Sequence, residues 1–431
     1  MNRLFLLAFG AIAGFGLAVA ASHFAYGALP PGGAGTTRAL ALFGQAFERV
    51  RDNYVDKPED RTLVENAIGG MLTHLDAHSS YFDPRTYDAM QTKAAGAYGG
   101  VGLVVTVKDG IASVFQPMDD TPASRAGLKT GDTIVAIDGV AMKGHTLDDV
   151  SSRMRGNAGS NVTITLARDN AKPFDVKLTR EAIEVERLTY KRQGDVGYIK
   201  IVAFSDRTDP DLRTAVAALK RQIGPSLKGF VIDLRDDGGG VLQAAIDVSD
   251  DFLDAGEIVS VRGRSPDAVE RYDAHYGDIA GGKPVVILTN GGTASASEIV
   301  AGALQDHHRA TIMGMLTFGK GSVQSVIPIG NGEGGALHMT TARYYTPAGR
   351  SIQVTGIVPD VVVSGGPDAP DYEREVELPY HLLAEGPPAK PLGKAIEPKP
   401  GQTYDDFQLA MALAFLHKTL AVQQDGAPDH A

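Results

Sequence analysis

Between Glu184 and Val363 the chain alternates short apolar runs with helical ones, and that alternation narrows the available folds more than any other feature. "GYIKIVAF", "GFVIDL", "PVVILT" and "ATIMGM" read as strands, and "PDLRTAVAALKRQI", "VLQAAIDVSDDFL" and "ASEIVAGALQDH" read as helices between them. Strands that alternate with helices argue a mostly parallel sheet with crossover helices, an α/β core.

Two other textures precede this core. "RALALFGQAFERVRDNYV" places Leu42, Phe43, Ala46, Phe47 and Val50 at helical spacing, and "RTLVENAIGGMLTHL" is a second helical run. From Gly99 to Ile183 short strands follow one another around Asp-Gly turns, with one helix at "TLDDVSSRMRG" carrying Leu147, Val150 and Met154 on one face. The expected division is 1–28 signal or anchor, 36–96 helical, 97–183 a β-rich module, 184–365 the core, and 366–431 a Pro-rich extended linker with a terminal helix. Phe407, Leu409, Ala410, Leu413 and Leu416 are expected to pack that last helix against another helix or a subunit. A chain of 431 residues is too long for one ordinary core, so two or three domains are expected.

The N-terminus has one Arg and then an uncharged apolar run, Leu4 to Ala21, with a small-x-small site at Ala18-Val19-Ala20. This pattern predicts export, to the periplasm or cell envelope, with residues 4–21 either removed or kept as an inner-membrane anchor. The net charge of −11 and the lack of a long basic run argue against nucleic acid as a partner. The chain has no cysteine, which removes thiol nucleophiles, thiolate metal sites and disulfides.

"NGGTASASEIV" offers Thr293, Ser295 and Ser297 at the start of a helix. Ser295-Ala296-Ser297-Glu298 fits the S-x-x-E helix capping box, a purely structural use of a serine. A helix N-terminus also presents free N–H groups and partial positive charge, which suit a nucleophile and its oxyanion. A serine nucleophile needs a base. His307 and His308 stand about three turns along, roughly 18 Å from the helix start; His275 and His338 stay open. Lys320, in "TFGKGSVQ", is flanked by Gly319 and Gly321, which allow a sharp turn. It serves as a base only if burial or nearby positive charge lowers its pKa from about 10.4 to about 7–8. Gly314 to Lys320 also mimics a phosphate-binding loop, but Gly321 stands where Ser or Thr is needed and a strand pattern follows. "DLRDDGGGV", Asp233 to Val241, ends a strand in three glycines whose N–H groups could face a phosphate or an oxyanion. Asp76-Ala77-His78-Ser79 tempts toward a triad, but neighbouring residues rarely converge, and the stretch reads as a helix-end turn.

Taken together, "LFGQAFERVRDNYV", "LDAHSSYF", "DLRDDGGGV", "TASASEIVAGALQD", "TFGKGSVQ" and "ARYYTPAGRSIQVTGIVPDVVV" resemble the carboxyl-terminal processing peptidases, the Ser–Lys tail-specific proteases of family S41. Lys320 stands 25 residues after Ser295, the family interval. The resemblance implies a crotonase/ClpP-like α/β protease core with an inserted PDZ domain. It implies Ser295 as nucleophile, Lys320 as general base and Gln324 as the residue that positions the lysine. It puts the oxyanion donors on the N–H of Ala296 and of Gly238 or Gly239, with Thr293 and Ser297 structural. Gly100-Val101-Gly102-Leu103 matches a PDZ carboxylate-binding loop, with the peptide adding as a strand along "LVVTV". Arg155 sits where some relatives have an arginine that links PDZ position to activity. No metal or cofactor is required. The implied partners are unfolded or tail-exposed proteins, an adaptor or activator, and further copies of the chain. Two departures stand out: Asp236 and Asp237 where relatives commonly show asparagine, and Ala77 where proline is usual. The competing readings are a catalytically silent PDZ scaffold and a nucleotide-binding protein.

Overall fold

The computed structural model describes residues 34–418, apart from 95–96, 109, 119, 146, 169–171, 185–187, 367–369, 387–391 and 400–401. The apolar run Leu4–Ala21 therefore lies outside the described residues. The chain forms two compact units, Met1–Ala67 and Ile68–Ala431.

In the first unit, α1 (Ala34–Asn53) and the start of α2 (Asp60–Thr73) line an apolar cleft with Phe43, Ala46, Phe47, Val50, Leu63 and Ala67. The helical spacing of α1 is real, yet its stripe is not buried: Leu42 is 68% exposed and Phe43 50%.

The second unit begins within α2, at Ile68, and continues with β1 (Ser80–Phe82) and α3 (Pro84–Ala94). The β-rich module follows. β2 (Ala97–Gly100) and β9 (Glu181–Glu184) pair antiparallel where the chain enters and leaves it. Within lie β3 (Leu103–Lys108), β4 (Ile111–Pro117), α4 (Pro122–Arg125), β5 (Thr133–Ile137), β6 (Val140–Ala141), α5 (Leu147–Met154), β7 (Asn161–Ala167) and β8 (Phe174–Thr179). The sheet order is β3-β4-β5-β7-β8, so β3 is an edge strand. Alternation along β7, with Val162, Ile164 and Leu166 buried, turns one face toward Val150 and Met154 of α5.

The core begins with β10 (Leu188–Gln193) and β11 (Val196–Ile201), then α6 (Thr208–Ile223), β12 (Gly229–Asp233), α7 (Leu242–Asp250), β13 (Glu257–Gly263) and β14 (Val269–Asp273). It continues through β15 (Val285–Thr289), α8 (Ala296–Asp306), β16 (Ala310–Gly314), β17 (Ser322–Pro328), β18 (Ala336–Tyr345) and β19 (Val361–Val362). The main sheet runs β10-β11-β12-β15-β16-β19, and every pair after β10-β11 is parallel. β12 and β15 are buried along their whole length, as central strands covered on both faces must be. A second, antiparallel sheet joins β1, β13, β14, β17 and β18, and β18 reaches back to pair with β1.

Two expectations about the C-terminal residues need correction. The tract after Val363 is no free linker: Glu375 is fully buried, Ile396 bridges Val363, and the Tyr372 hydroxyl reaches Asn290. The last helix, α9 (Phe407–Leu416), packs on the sheet rather than on another helix. Phe407, Leu409, Ala412 and Leu416 cover Val231, Val286 and Leu288, giving the sheet its second apolar layer. Arg235, at the end of β12, donates to Asp406 at 2.6 Å, and Asp406 caps the helix through the Leu409 N–H.

Candidate active site

Ser295 occupies the turn from β15 into α8 with φ 58° and ψ −116°, a conformation that strains any residue with a side chain. The turn keeps that shape because two loops are stitched across it. Asn290 Oδ1 accepts from the N–H of Asp236 and of Gly292, each at 3.0 Å. Thr293 Oγ1 donates to the Leu234 carbonyl at 2.8 Å, and Ser297 Oγ to the Asp237 carbonyl at 3.1 Å. Thr293 and Ser297 are fully buried in these tasks. The glycine turn after β12 comes so close that a Cβ on Gly239 would lie 2.8 Å from the Ala296 nitrogen. Only glycine permits that approach, and it sets the turn beside the N-terminus of α8.

Glu298 forms the expected capping box and then does more. Its carboxylate is fully buried, and Oε2 accepts both the Ser295 N–H at 2.8 Å and the Lys320 N–H at 2.9 Å. Oε1 accepts the Gly319 N–H at 2.8 Å and the Thr317 hydroxyl. One oxygen thus ties the backbones of Ser295 and Lys320 together. Burial pushes the Glu298 pKa up to about 7, opposed by the hydrogen bonds from Thr317, Ser295, Lys320 and Gly319, which favour the carboxylate.

Lys320 sits in a turn pressed against the chain at Gln353 and Val354. A Cβ on Gly321 would lie 2.4 Å from the Gln353 nitrogen, and one on Gly319 2.9 Å from the Val354 carbonyl. Burial lowers the Lys320 pKa, the direction a neutral amine base requires, while Glu375, Glu298 and Asp76 pull it back up. Tyr344, fully buried, donates from its hydroxyl to the Lys320 carbonyl and also stands in hydrogen-bond reach of Ser295.

The structure brings Ser295, Ala296, Gly238, Gly239 and the Lys320 turn to one place. It draws no hydrogen bond from the Lys320 amine to Ser295. The expected contact of Gln324 with that amine is likewise not formed. A register shift in the β17–β18 pairing at Val323/Gln324 sets Gln324 opposite Thr340, and its amide donates to Ser322 Oγ at 2.9 Å and Thr340 Oγ1 at 3.1 Å. The two glycines also differ. The Gly239 N–H donates to Asp237 Oδ1 at 2.8 Å, whereas the exposed Gly238 has no such partner among the described residues. Asp236 turns outward: burial raises its pKa, but the Tyr372 hydroxyl and Asn290 amide outweigh it and the net shift is down. Asp237 stays inside, with Oδ2 unpartnered, and burial pushes its pKa up to about 7.

The phosphate-loop likeness of Gly314–Lys320 ends here, because strand β17 follows where such a loop needs a helix. Gly100, Val101, Gly102 and Leu103 line a small cleft with Ser151, Met154 and Arg155. Gly102 has φ +75°, and a Cβ there would lie 2.2 Å from the Thr121 side chain, so the loop shape depends on glycine. Arg155 is exposed at the rim of this cleft.

The reading of 76–79 as a turn holds, since Asp76 Oδ1 accepts the N–H of His78 and Ser79, each at 2.8 Å. What the sequence reading missed is where the His78 ring goes: Nε2 lies 2.7 Å from Glu375 Oε2, 297 residues away. No local pattern signals that pairing.

Comparisons with known proteins agree on one family. The model of peptidase family S41 matches residues 195–363, a PDZ domain model matches 114–168, and the activating protease CtpB N-terminal domain matches 31–86. The chain is 47% identical over 389 residues to a carboxy-terminal-processing protease of Bartonella bacilliformis, covering 88% of this chain and 89% of that one. It is 32% identical over 339 residues to the carboxy-terminal processing protease CtpA of Bacillus subtilis, covering 78% and 70%. Among solved structures it is similar to the photosystem II D1 C-terminal processing protease, with 32% identity, a TM-score of 0.45, and 75% and 92% of the two chains covered.

Proposed function

The chain belongs to the carboxy-terminal-processing proteases of peptidase family S41, and from that premise we propose which residues carry its chemistry. It is a serine-type endopeptidase with a PDZ domain; the alternative of a silent scaffold has no support among its relatives. Ser295 is the nucleophile and Lys320 the general base. The observation that carries this reading is the shared acceptor, Glu298 Oε2, which holds the backbones of both residues beside the glycine turn.

Neutral Lys320 takes the Ser295 hydroxyl proton as Oγ attacks the scissile carbonyl. The Ala296 N–H, at the start of α8, and a glycine N–H of the 238–239 turn stabilise the oxyanion. The lysinium then gives its proton to the leaving amine, and water hydrolyses the acyl-enzyme. For this step the Lys320 side chain swings from its resting position onto Ser295 Oγ, and Gln324 acts on the lysine only if it leaves Ser322 and Thr340. Catalytic contacts of this kind commonly tighten only when substrate binds.

Substrates are unfolded or tail-exposed proteins, whose terminal carboxylate meets the Gly100–Leu103 loop while the tail lies along edge strand β3. Arg155, at the rim of that cleft, couples its occupancy to activity. The exposed apolar stripe of α1 supports self-association, and an adaptor or activator is compatible with the resting lysine. Export follows from the Leu4–Ala21 run; among the described residues no helix is long and apolar enough to cross a membrane.

The test is digestion of casein by the purified full chain beside Ser295→Ala and Lys320→Ala. Cleavage by the wild type and loss of at least 10³-fold in both variants is expected. Equal cleavage by Ser295→Ala would remove Ser295 from the reaction.

A further inference from the structure

Three carboxyl groups act on Lys320: Glu375, Glu298 and Asp76. A base that must be neutral gains nothing from them unless their charge is tempered. Glu298 is answered by three backbone N–H groups and the Thr317 hydroxyl. Asp76 is answered by the N–H of His78 and Ser79 and by the Ser79 hydroxyl. Those donors are backbone N–H groups and hydroxyls, which stay neutral. Glu375 is different. It is fully buried, its Oε1 accepts from Gln353 Nε2 at 2.6 Å, and its Oε2 meets the His78 ring at 2.7 Å. Its only charged or titratable hydrogen-bond partner among the described residues is an imidazole.

Glu375 is also tied to both flanks of the lysine turn, by its backbone on one side and through Gln353 on the other. The Glu375 N–H donates to the Phe318 carbonyl at 3.2 Å, two residues before Lys320. Gln353, which holds Oε1, accepts the Gly321 N–H at 3.0 Å, one residue after it. His78 is itself fixed by Asp76, which accepts its N–H. His338, on β18, completes the surroundings. It feels both Lys320 and His78, and burial followed by Lys320 lowers its pKa.

We propose that Glu375 and His78 are a positioning pair that sets the proton affinity of Lys320, His78 attenuating the negative charge that Glu375 presents to the amine. The proposal rests on Lys320 being the general base. With the His78 ring bonded to it, Glu375 holds lysinium less tightly and Lys320 is neutral at lower pH. Without His78 the carboxylate acts at full strength and the base works only at higher pH.

The two partners therefore make opposite predictions, which a simple fastening role would not. The full chain is assayed for kcat/KM against casein from pH 5 to 10, as wild type, His78→Ala, His78→Gln and Glu375→Gln. His78→Ala is expected to move the acid limb up by about half to one pH unit, and His78→Gln, which keeps a donor, to return it toward wild type. Glu375→Gln is expected to move the limb down by about one unit. A second readout keeps the question open to refutation if a variant is inactive: the pH dependence of Lys320 acetylation, read by peptide mass in the Ser295→Ala background, should shift in the same directions. Variants that lose rate with an unmoved limb and an unmoved labelling curve, or that both shift one way, would overturn the pair. Activity retained by Lys320→Ala would instead overturn the assignment of the base.

Discussion

Asp237 places a carboxyl group where negative charge is least welcome. Its Oδ1 takes the Gly239 N–H, a candidate oxyanion donor, and Oδ2 is buried without a partner. Above about pH 7 it ionises, and its charge then opposes an oxyanion at the same turn while still occupying that N–H. Asn in its place keeps the hydrogen-bond acceptor and removes the charge. Asp237→Asn should therefore raise kcat several-fold at pH 8 and leave it nearly unchanged at pH 6, read from initial rates on casein. The stability effect has a definite sign. The folded pKa of about 7 lies above an unfolded value of about 3.9, so between them the native state binds more protons than the unfolded state. The stabilisation is complete below about pH 4 and is lost as pH rises through about 7. Urea unfolding should find Asp237→Asn more stable than wild type by roughly 1–3 kcal/mol at pH 8, an advantage that shrinks toward pH 5. An advantage that does not depend on pH would mean that the carboxyl is not the cause.

At the scale of elements, the N-terminus of α8 is organised by a residue that the sequence marked for a smaller job. Glu298 at the third helical position is legible as the partner of the Ser295 N–H, because a capping box spans only four residues. Its bonds to Gly319 and Lys320 are not legible, since nothing local says which distant turn will close over a buried carboxylate. The same limit explains the other misses. The resemblance pairs Gln324 with the lysine, but a bulge at Thr341 in β18 decides its partner, and bulges leave little trace in a strand pattern. The tract holding Glu375 reads as a linker from its prolines, and only tertiary packing buries it. What was legible had local causes: the strand-turn-helix rhythm, the glycines at tight approaches, and the serine at a helix start. Glu298→Gln tests the organising role. An amide leaves one acceptor oxygen for two pairs of donors, so either the shared anchor of Ser295 and Lys320 or the hold on Thr317 and Gly319, which shapes the lysine turn, is lost. A fall in kcat of about 100-fold with KM changed much less is expected, together with a lower melting temperature by circular dichroism. A rise in KM alone would place the effect in substrate binding instead.

At the scale of the whole molecule, a small β module and a large α/β core are joined by one chain that pairs with itself as β2 and β9 where it enters and leaves the module. The module has the two features that capture of a chain end requires. One is an edge strand, β3, whose Val104 side chain is 44% exposed; the other is a glycine loop at its start that tolerates no Cβ at Gly102. Backbone pairing along β3 would supply affinity with little sequence demand, and the loop would supply the requirement for a free carboxylate. On the proposed mechanism the core has no such requirement, because attack by Ser295 would need only an accessible peptide bond. On that reading, recognition of the terminus and cleavage belong to different parts of the molecule, and their contributions separate by experiment. A peptide with an apolar C-terminus should bind the full Ser295→Ala chain, by fluorescence anisotropy, at least tenfold more tightly than its C-terminal amide. Gly102→Ala should abolish that difference by forcing Thr121 and the loop apart. Casein cleavage by Gly102→Ala in an otherwise wild-type chain should fall through KM rather than kcat if the module only gathers substrate. A matching fall in kcat would mean that occupancy of the loop also aligns Lys320 with Ser295.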